Sequence, residues 1–403
     1  MEVPNDWAEF SLQDITSKRI SYGIVQAGPH VPDGIPYIKS SDLTPKISLS
    51  ELQRTSQEIH KKYVRSSVVP GDIVFSLRGD IGAVAIVPPS IKIANLTQGT
   101  ARISTKDSFD TDFIFQLFKS NILKKAVLRV CKGSTFQEIS LKDLRKVKIQ
   151  VPGHREQQRI AEILGAWDKA IAATEQLIAE SEVQKKALMQ QLLTGKRRLP
   201  GFDGEWKEER LGDIAKTSSG GTPKSTVEEY YGGEVLWASV SDMTSCKKYI
   251  TSTERTLTHL GIENSSARVF SENTVLIAMY ASIGETAIVM NEMATSQAIL
   301  GIQTSKELSP IFLYYYLTSL KVRLKSLGQQ GTQSNLNAGM VKGLRLHLPP
   351  IEEQVKIGQV LSSAENETQA LQAKLQTLKT EKSALMQQLL TGKRRVKLTE
   401  VAA

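Results

Sequence analysis

Cysteine is nearly absent from this chain: there are two in 403 residues, Cys131 and Cys246, far apart and with no CxxC or Cys/His partner. That excludes a disulfide framework and a zinc site of ordinary ligand spacing, and it fits a reducing cytoplasm. Histidine is scarce too. The five (His30, His60, His154, His259, His347) are scattered, none in an HExxH-like spacing, so no metal centre is expected. Aromatic residues make up only 6%, too few for the serial stacking platforms of single-strand nucleic-acid binders; Trp7 and Trp206 read as core anchors. No apolar run has the length of a membrane span, and the opening MEVPNDWAEF lacks the basic and apolar regions of a signal peptide. A soluble, cytoplasmic protein is expected.

Catalytic signatures are missing as well. The two LLTGKRR segments contain Gly-Lys but neither the following Ser/Thr nor the upstream glycine of a phosphate-binding loop. No glycine-rich cofactor fingerprint follows a predicted strand, and no Asn/Asp-Pro-Pro-aromatic motif of an adenine methyltransferase occurs. Glu352-Glu353 begins a helix, where acidic residues offset the macrodipole. The pairs Gly71-Asp72 and Gly79-Asp80 read as turns, and their second-copy partners are Glu272-Asn273 and Tyr280-Ala281, so no acidic dyad is duplicated. What is present is a globular balance, 40% hydrophobic and 23% charged, with a net charge of +9 that favours a polyanionic partner.

The chain is also written twice. ALMQQLLTGKRR at Ala187–Arg198 recurs identically at Ala384–Arg395, 197 positions later. The same offset aligns Val151-Pro152 with Leu348-Pro349, Glu156-Gln157 with Glu353-Gln354, and Ile160, Ile163 and Leu164 with Ile357, Val360 and Leu361. Upstream the likeness is weaker and the offset drifts, as loop insertions make it. Asp6-Trp7 recurs as Glu205-Trp206, Tyr37–Leu43 as Trp237–Met243, and Ile81-Gly82 as Ile283-Gly284. Two diverged modules therefore each precede a closely similar tail.

The tails read as helices running from Pro152-Gly153 to Gly195 and from Pro349-Pro350 to Gly392. The two glycines stand where a left-handed C-cap belongs, and Lys-Arg-Arg follows each. Each helix has about 40 residues and spans roughly 60 Å. Steps of four and three give Ile160, Leu164, Trp167, Ile171, Thr174, Ile178, Ser181, Lys185, Leu188 and Leu192 in the first copy. The second gives Ile357, Leu361, Ala364, Thr368, Leu371, Leu375, Leu378, Lys382, Leu385 and Leu389. This is a heptad seam, with Thr, Ser and Lys at positions that fix register. Packing of each helix on its own module is the alternative.

The modules read as mixed α and β. Asp72–Leu77, Ala83–Val87, Thr274–Ala278 and Thr286–Val289 are expected as strands, as are Val147–Val151 and Leu344–Leu348. Phe113–Val130 and Ile311–Leu327 are expected as amphipathic helices. The predicted parts are a first module at 1–150, a helix at 151–199, a second module at 200–347, and a helix and tail at 348–403.

With this layout the chain resembles type I restriction–modification specificity subunits along essentially its whole length. The resemblance is carried by the order module–helix–module–helix, by the Val-Pro-(x)3-Glu-Gln-(x)2-Ile-Ala-(x)-Ile-Leu join at Val151–Leu164 and its second copy from Leu348, and by the Leu-Leu-Thr-Gly-Lys-Arg-Arg ends. It implies an α/β (α+β) architecture of two tandem target recognition domains, with the helices paired as an antiparallel coiled coil under pseudo-two-fold symmetry. Each domain would read one half of a bipartite, asymmetric site in double-stranded DNA. Removing one heptad would then shorten the spacer by about 10 Å, or roughly 3 base pairs at about 3.4 Å each.

The partners implied are two methyltransferase subunits, docked on the similar tails, and restriction/translocase subunits joined through the complex. S-adenosylmethionine, ATP and Mg2+ would be used by those partners, with no cofactor and no catalytic residue in this chain. Phosphate contacts should come from Lys and Arg, and base readout from polar side chains on loops. The candidates are Lys39, Ser40, Ser41, Arg78, Gln98, Ser134 and Thr135 in the first module. In the second they are Ser239, Ser241, Tyr280, Gln297, Thr332 and Gln333. Each could equally cap a turn. Lys196–Arg198 and Lys393–Arg395 are open to DNA, to a partner or to solvent. Alternative readings are an unrecognised enzyme, the specificity subunit of a system with a fused endonuclease–methyltransferase, and a coiled-coil adaptor that does not read DNA.

Overall fold

Two long helices organise the molecule. In the computed structural model, which describes residues 4–43, 47–131, 138–328 and 335–398, they run over His154–Leu192 and Ile351–Leu389 without a break. Gly195 and Gly392 follow them at φ +69° and +71°. The Arg197 and Arg394 N–H groups donate back to the Gln191 and Gln388 carbonyls at 3.2 and 3.1 Å. This left-handed cap satisfies carbonyls that the helix end leaves open. Among the described residues no helix is long and apolar enough to cross a membrane.

The chain divides into two units, Met1–Glu175 with Ala373–Ala403, and Gln176–Gln372. The division thus falls in the middle of each long helix and not at the module–helix joins. The reason is burial: Met386, Leu389 and Leu390 of the second helix complete a core with Trp7, Ile160 and Leu164. In the other unit Leu192 and Leu193 join Leu211, Ile357 and Leu361.

The first unit holds an antiparallel sheet in the order Val84–Ile86, Ile73–Ser76, Thr100–Ile103. Its central strand is buried throughout, so both faces are covered, as the unbroken apolar run requires. A second sheet has the order Arg54–Thr55, Ile35–Ile38, Asn95–Leu96, with its last pair parallel. A ribbon of Ala8–Ser11 with Lys148–Val151 joins the first strand to the residues that lead into the long helix.

The second unit repeats each part. Thr286–Val289, Val275–Ala278 and Ile299–Thr304 form the same antiparallel set, extended at its two edges by Ala215–Ser219 and Tyr249–Ile250. Arg255–Leu257, Tyr231–Ala238 and Met293–Thr295 match the second sheet, with Val269–Phe270 added. Lys207–Arg210 pairs with Arg345–Leu348 as the ribbon.

Two expected helices are each divided. Phe113–Val130 is Thr111–Lys119 and Asn121–Val130, because Ser120 ends one and caps the next: its hydroxyl donates to the Leu117 carbonyl at 2.6 Å and accepts the Leu123 N–H at 3.3 Å. Ile311–Leu327 likewise becomes Pro310–Ser319 and Lys321–Gly328. The first of these has Phe312–Leu317 buried without interruption, a fully enclosed helix and not an amphipathic one.

Within each unit, half of one long helix runs antiparallel to half of the other. In the first unit Lys382 Nζ lies 2.7 Å from Asp168 Oδ1, and Lys379 Nζ 2.8 Å from Glu175. In the second, the Ser181 and Thr368 hydroxyls are 2.7 Å apart and Lys185 reaches Glu365 at 3.8 Å. Lys382–Asp168 and Lys185–Glu365 are the same pair of positions in the two copies. Every position of the heptad seam is buried or half-buried.

Candidate nucleic-acid interface

In the first module three chain crossings converge on Gly99. Strand Ile35–Ile38 ends at Lys39, whose N–H donates to the Asp42 carboxylate at 2.8 Å and so closes the turn that carries Ser40 and Ser41. The Ser40 hydroxyl donates to the Gly99 carbonyl at 2.9 Å. The turn after Ile73–Ser76 arrives from the other side, with the Leu77 N–H on the same carbonyl at 2.8 Å. A Cβ at residue 99 would sit 2.9 Å from Ser40 Oγ and 3.1 Å from Arg78 Nε, so the absence of a side chain there permits the approach. The result is a concavity of about 620 Å³ lined by Lys39, Ser40, Ser41, Arg78 and Gln98, with Val25 and Thr97.

The five polar side chains differ in how far the protein already engages them. Lys39 Nζ faces Asp42 at 3.9 Å and Gln53 at 3.4 Å. Ser41 hydrogen-bonds Asp42 at 3.2 Å. Gln98 is exposed, its backbone N–H fixed on the Ile24 carbonyl at 2.9 Å. Arg78 is half-buried and, among the described residues, its guanidinium forms no ion pair with a carboxylate. Burial, aided by the Asp42 charge, raises the Tyr37 phenol above its ordinary 10.0, keeping it neutral.

The second module builds the same corner. Strand Tyr231–Ala238 lies parallel to Met293–Thr295, and the Ser296 N–H donates to the Ala238 carbonyl at 2.9 Å, as Thr97 does to Ile38 at 3.2 Å. Met279 N–H meets the Ala298 carbonyl at 2.8 Å, matching Leu77 and Gly99. Ser239, Tyr280 and Gln297 are thus neighbours through the backbone. Ser239 caps helix Val240–Ser245 in a reciprocal box with Asp242, and its hydroxyl is held by that carboxylate at 2.6 Å, so its first role is structural. Gln297 accepts a hydrogen bond from the Thr222 hydroxyl. Ser241 and Tyr280 are exposed. Ser134, Thr135, Thr332 and Gln333 lie outside the described residues.

Two sets of residues have roles that spacing did not disclose. Arg198 makes a bidentate pair with Glu353, both bonds 2.7 Å, and Glu353 is fully buried. Arg395 does the same to Glu156 at 2.8 and 2.7 Å, and also grips Asp6 at 2.8 and 2.7 Å. The third residue of each Lys-Arg-Arg end is therefore an internal clasp and not an open cation. Glu353 is more than a macrodipole partner. Trp7 and Trp206 pack on the capping glycines Gly392 and Gly195 beside these clasps.

The glutamines of the Glu-Gln joins are equally committed. Gln157 donates to the Pro152 carbonyl at 2.9 Å and accepts the Asp110 N–H at 3.0 Å. Gln354 does so with Pro349 and with the Ser309 N–H, both at 2.9 Å. The exact repetition of ALMQQLLTGKRR was the available signal: an end that must fit a buried Glu and a Trp leaves little freedom to change.

In the second unit a buried lysine, Lys248, joins the segment after the Ser239 corner to the long helix. Its amine meets Glu365 at 3.2 Å, Ser362 at 3.0 Å and the Tyr315 hydroxyl at 3.1 Å. Among the described residues no group of three or more His, Cys, Asp or Glu side chains could hold a metal ion. The geometry offers hydrogen-bond donors, acceptors and positive charge on rigid turns, the equipment for recognising a polar surface.

Comparison with known proteins agrees with this equipment. Residues 4–182 and 203–380 each match the type I restriction modification DNA specificity domain. A putative type I restriction enzyme MjaX specificity subunit of Methanocaldococcus jannaschii is 24% identical over 98% of this chain and 95% of its own length. The EcoBI specificity subunit of Escherichia coli is 30% identical over 39% of this chain and 34% of its own. Among solved structures, a type I restriction–modification S subunit from M. genitalium has a TM-score of 0.62 at 16% identity, covering 99% of both chains. A chain from a study of assembly and conformational transition of the type I R-M system has a TM-score of 0.60 at 18% identity, covering 98% of this chain and all of that one. With the domain matched twice over most of its length, the chain belongs to the family of type I restriction–modification DNA specificity subunits.

Proposed function

We propose that each module reads one half of a bipartite, asymmetric DNA site through the corner described above. The reading residues are Lys39, Ser40, Ser41, Arg78 and Gln98 in the first module, and Ser239, Ser241, Tyr280 and Gln297 in the second, together with Ser134, Thr135, Thr332 and Gln333. The observation that carries this reading is a constant frame with unlike contents. The same backbone hydrogen bonds recur in both corners, while Lys39, Arg78 and Gly79 give way to Ser239, Tyr280 and Ala281. A frame kept with its side chains exchanged is what two readers of different bases require. The chain acts as the non-catalytic, specifying part of a type I enzyme. Two methyltransferase subunits, one for each similar tail, supply methyl transfer from S-adenosylmethionine, and restriction subunits supply ATP- and Mg2+-dependent work.

The test is co-purification with the cognate methyltransferase subunit, followed by methylome sequencing of cells expressing the pair. A split motif with modified adenine on both strands is the expected result. A stable complex that methylates no motif would sink the reading and favour an adaptor. Failure to form any complex would remove the proposed docking role of the tails.

A further inference from the structure

Resting on that DNA-reading role, we propose that Arg78 reads a guanine in the half-site of the first module, and that its counterpart Tyr280 gives the other half-site a different base preference. The turn that presents Arg78 is rigid. Gly82 N–H donates to the Ser76 carbonyl at 3.2 Å, Ala83 to Asp80 at 3.1 Å and Ile81 to Gly79 at 3.0 Å. The Ser76 hydroxyl holds the Arg78 carbonyl at 2.8 Å.

The second module reproduces the three backbone bonds of this turn: Gly284 to Ala278 at 3.0 Å, Glu285 to Ser282 at 3.0 Å and Ile283 to Ala281 at 3.0 Å. Even the left-handed residue is kept, Gly79 at φ +74° and Ala281 at φ +59°, although alanine is strained there. A backbone maintained against that strain, with the preceding side chain changed from Arg to Tyr, places residues 78 and 280 at a position of exchangeable content.

The chemistry separates the two. Within the concavity Lys39, Ser40 and Ser41 already have protein partners, whereas the Arg78 guanidinium forms no ion pair among the described residues. Its forked donors match the O6 and N7 acceptors of guanine in the major groove, a fit that no other base pair presents to the same fork. A tyrosine hydroxyl offers one donor and one acceptor and cannot make that bidentate contact.

The experiment compares the full chain with its Arg78→Ala, Arg78→Lys and Tyr280→Ala variants, each expressed with the cognate methyltransferase subunit and read by methylome sequencing. Duplexes carrying the wild-type motif with single-base changes follow. For Arg78→Ala, one guanine position in one half-site should become degenerate, with discrimination there falling on the order of ten- to a hundred-fold. Arg78→Lys, which keeps the charge and loses the fork, should relax the same position in part, and it also decides the matter if the alanine variant fails to fold. Tyr280→Ala should alter only the other half-site.

An unchanged motif methylated at a uniformly lower level would mark Arg78 as a phosphate contact and overturn the proposal, as would relaxation of one common half-site by both substitutions. A wild-type motif without guanine in the half-site altered by Arg78→Ala would overturn the base assignment while leaving DNA reading intact. The absence of any motif in the wild type would instead mark failure of the DNA-reading role itself.

Discussion

The two units use one plan with different internal wiring. In the first, Asp168 of the long helix collects Lys382 at 2.7 Å, Lys119 at 3.0 Å and Gln116 at 2.6 Å, and the group stands partly open to solvent. In the second, the equivalent Glu365 is answered by Lys185, by the buried Lys248 and by the Tyr315 hydroxyl at 2.9 Å. Lys248 lies three residues beyond the helix that Ser239 caps, so the Ser239 corner of this module is tied directly to its long helix. The first module has no such tie among the described residues. What the two share is set by backbone hydrogen bonds and by the Arg–Glu clasps. What differs is the added edge strands of the second unit and the side chains that the shared frame does not need.

The contrast can be broken most forcefully at Lys248. Its replacement by alanine takes the buried cation from a largely buried carboxylate that keeps only Lys185 at 3.8 Å and the Tyr315 hydroxyl, and about 3 kcal/mol of stability should be lost from the second unit. The matching change, Lys119→Ala, removes one half-exposed cation from an acid that keeps Lys382, and should cost no more than about 0.5 kcal/mol. Denaturant unfolding of the two variants measures the gap, and equal losses would refute the difference in wiring. A smaller effect is expected at the left-handed turns. Ala281→Gly should relieve strain and stabilise by up to about 1 kcal/mol, while Gly79→Ala should destabilise by a similar amount. The same melts would show opposite signs.

The smallest effect concerns acid. Burial pushes the Asp168 carboxyl up, but hydrogen bonds from Lys382 and Gln116 and the charge of Lys119 outweigh it and hold the group below its ordinary 3.8. A depressed carboxylate contributes stability that is complete above the unfolded value and is lost as the pH falls below it. Asp168→Asn should therefore lower stability at neutral pH and remove part of the acid dependence below pH 3.8. Parallel pH profiles for wild type and variant would contradict this.

Much of the architecture was legible because it is periodic. The heptad steps fall on the least exposed line of each long helix, and the capping glycines mark the ends, since both signals arise within a few residues of chain. The division of the Phe113–Val130 segment was less visible. Ser120 sits in an otherwise helical pattern, and only its two hydrogen bonds to Leu117 and Leu123 convert it into a boundary. The candidate residues of the first corner, Lys39, Ser40, Ser41, Arg78 and Gln98, were legible as polar side chains on expected loops; their convergence on Gly99 depends on contacts across more than fifty residues, which no local pattern encodes. The clasps were hidden for the same reason. Arg395 and Glu156 are 239 positions apart, and a basic helix end reads first as a solvated one.

The clasp at Arg395 also bears on when the molecule becomes whole. The second unit is one continuous stretch, Gln176–Gln372, whereas the first needs Ala373–Ala403. During synthesis the module that emerges first must therefore wait longest. Its core lacks Met386, Leu389 and Leu390, and Glu156 and Asp6 lack their cation, until Arg395 has been added. A chain halted at residue 372 should carry a protease-resistant second unit and a first unit that is digested, which pulse proteolysis of the truncated product would reveal. The order of translation and the order of folding would then run in opposite directions, and an interrupted message would yield a product recognisable to proteases by its oldest part.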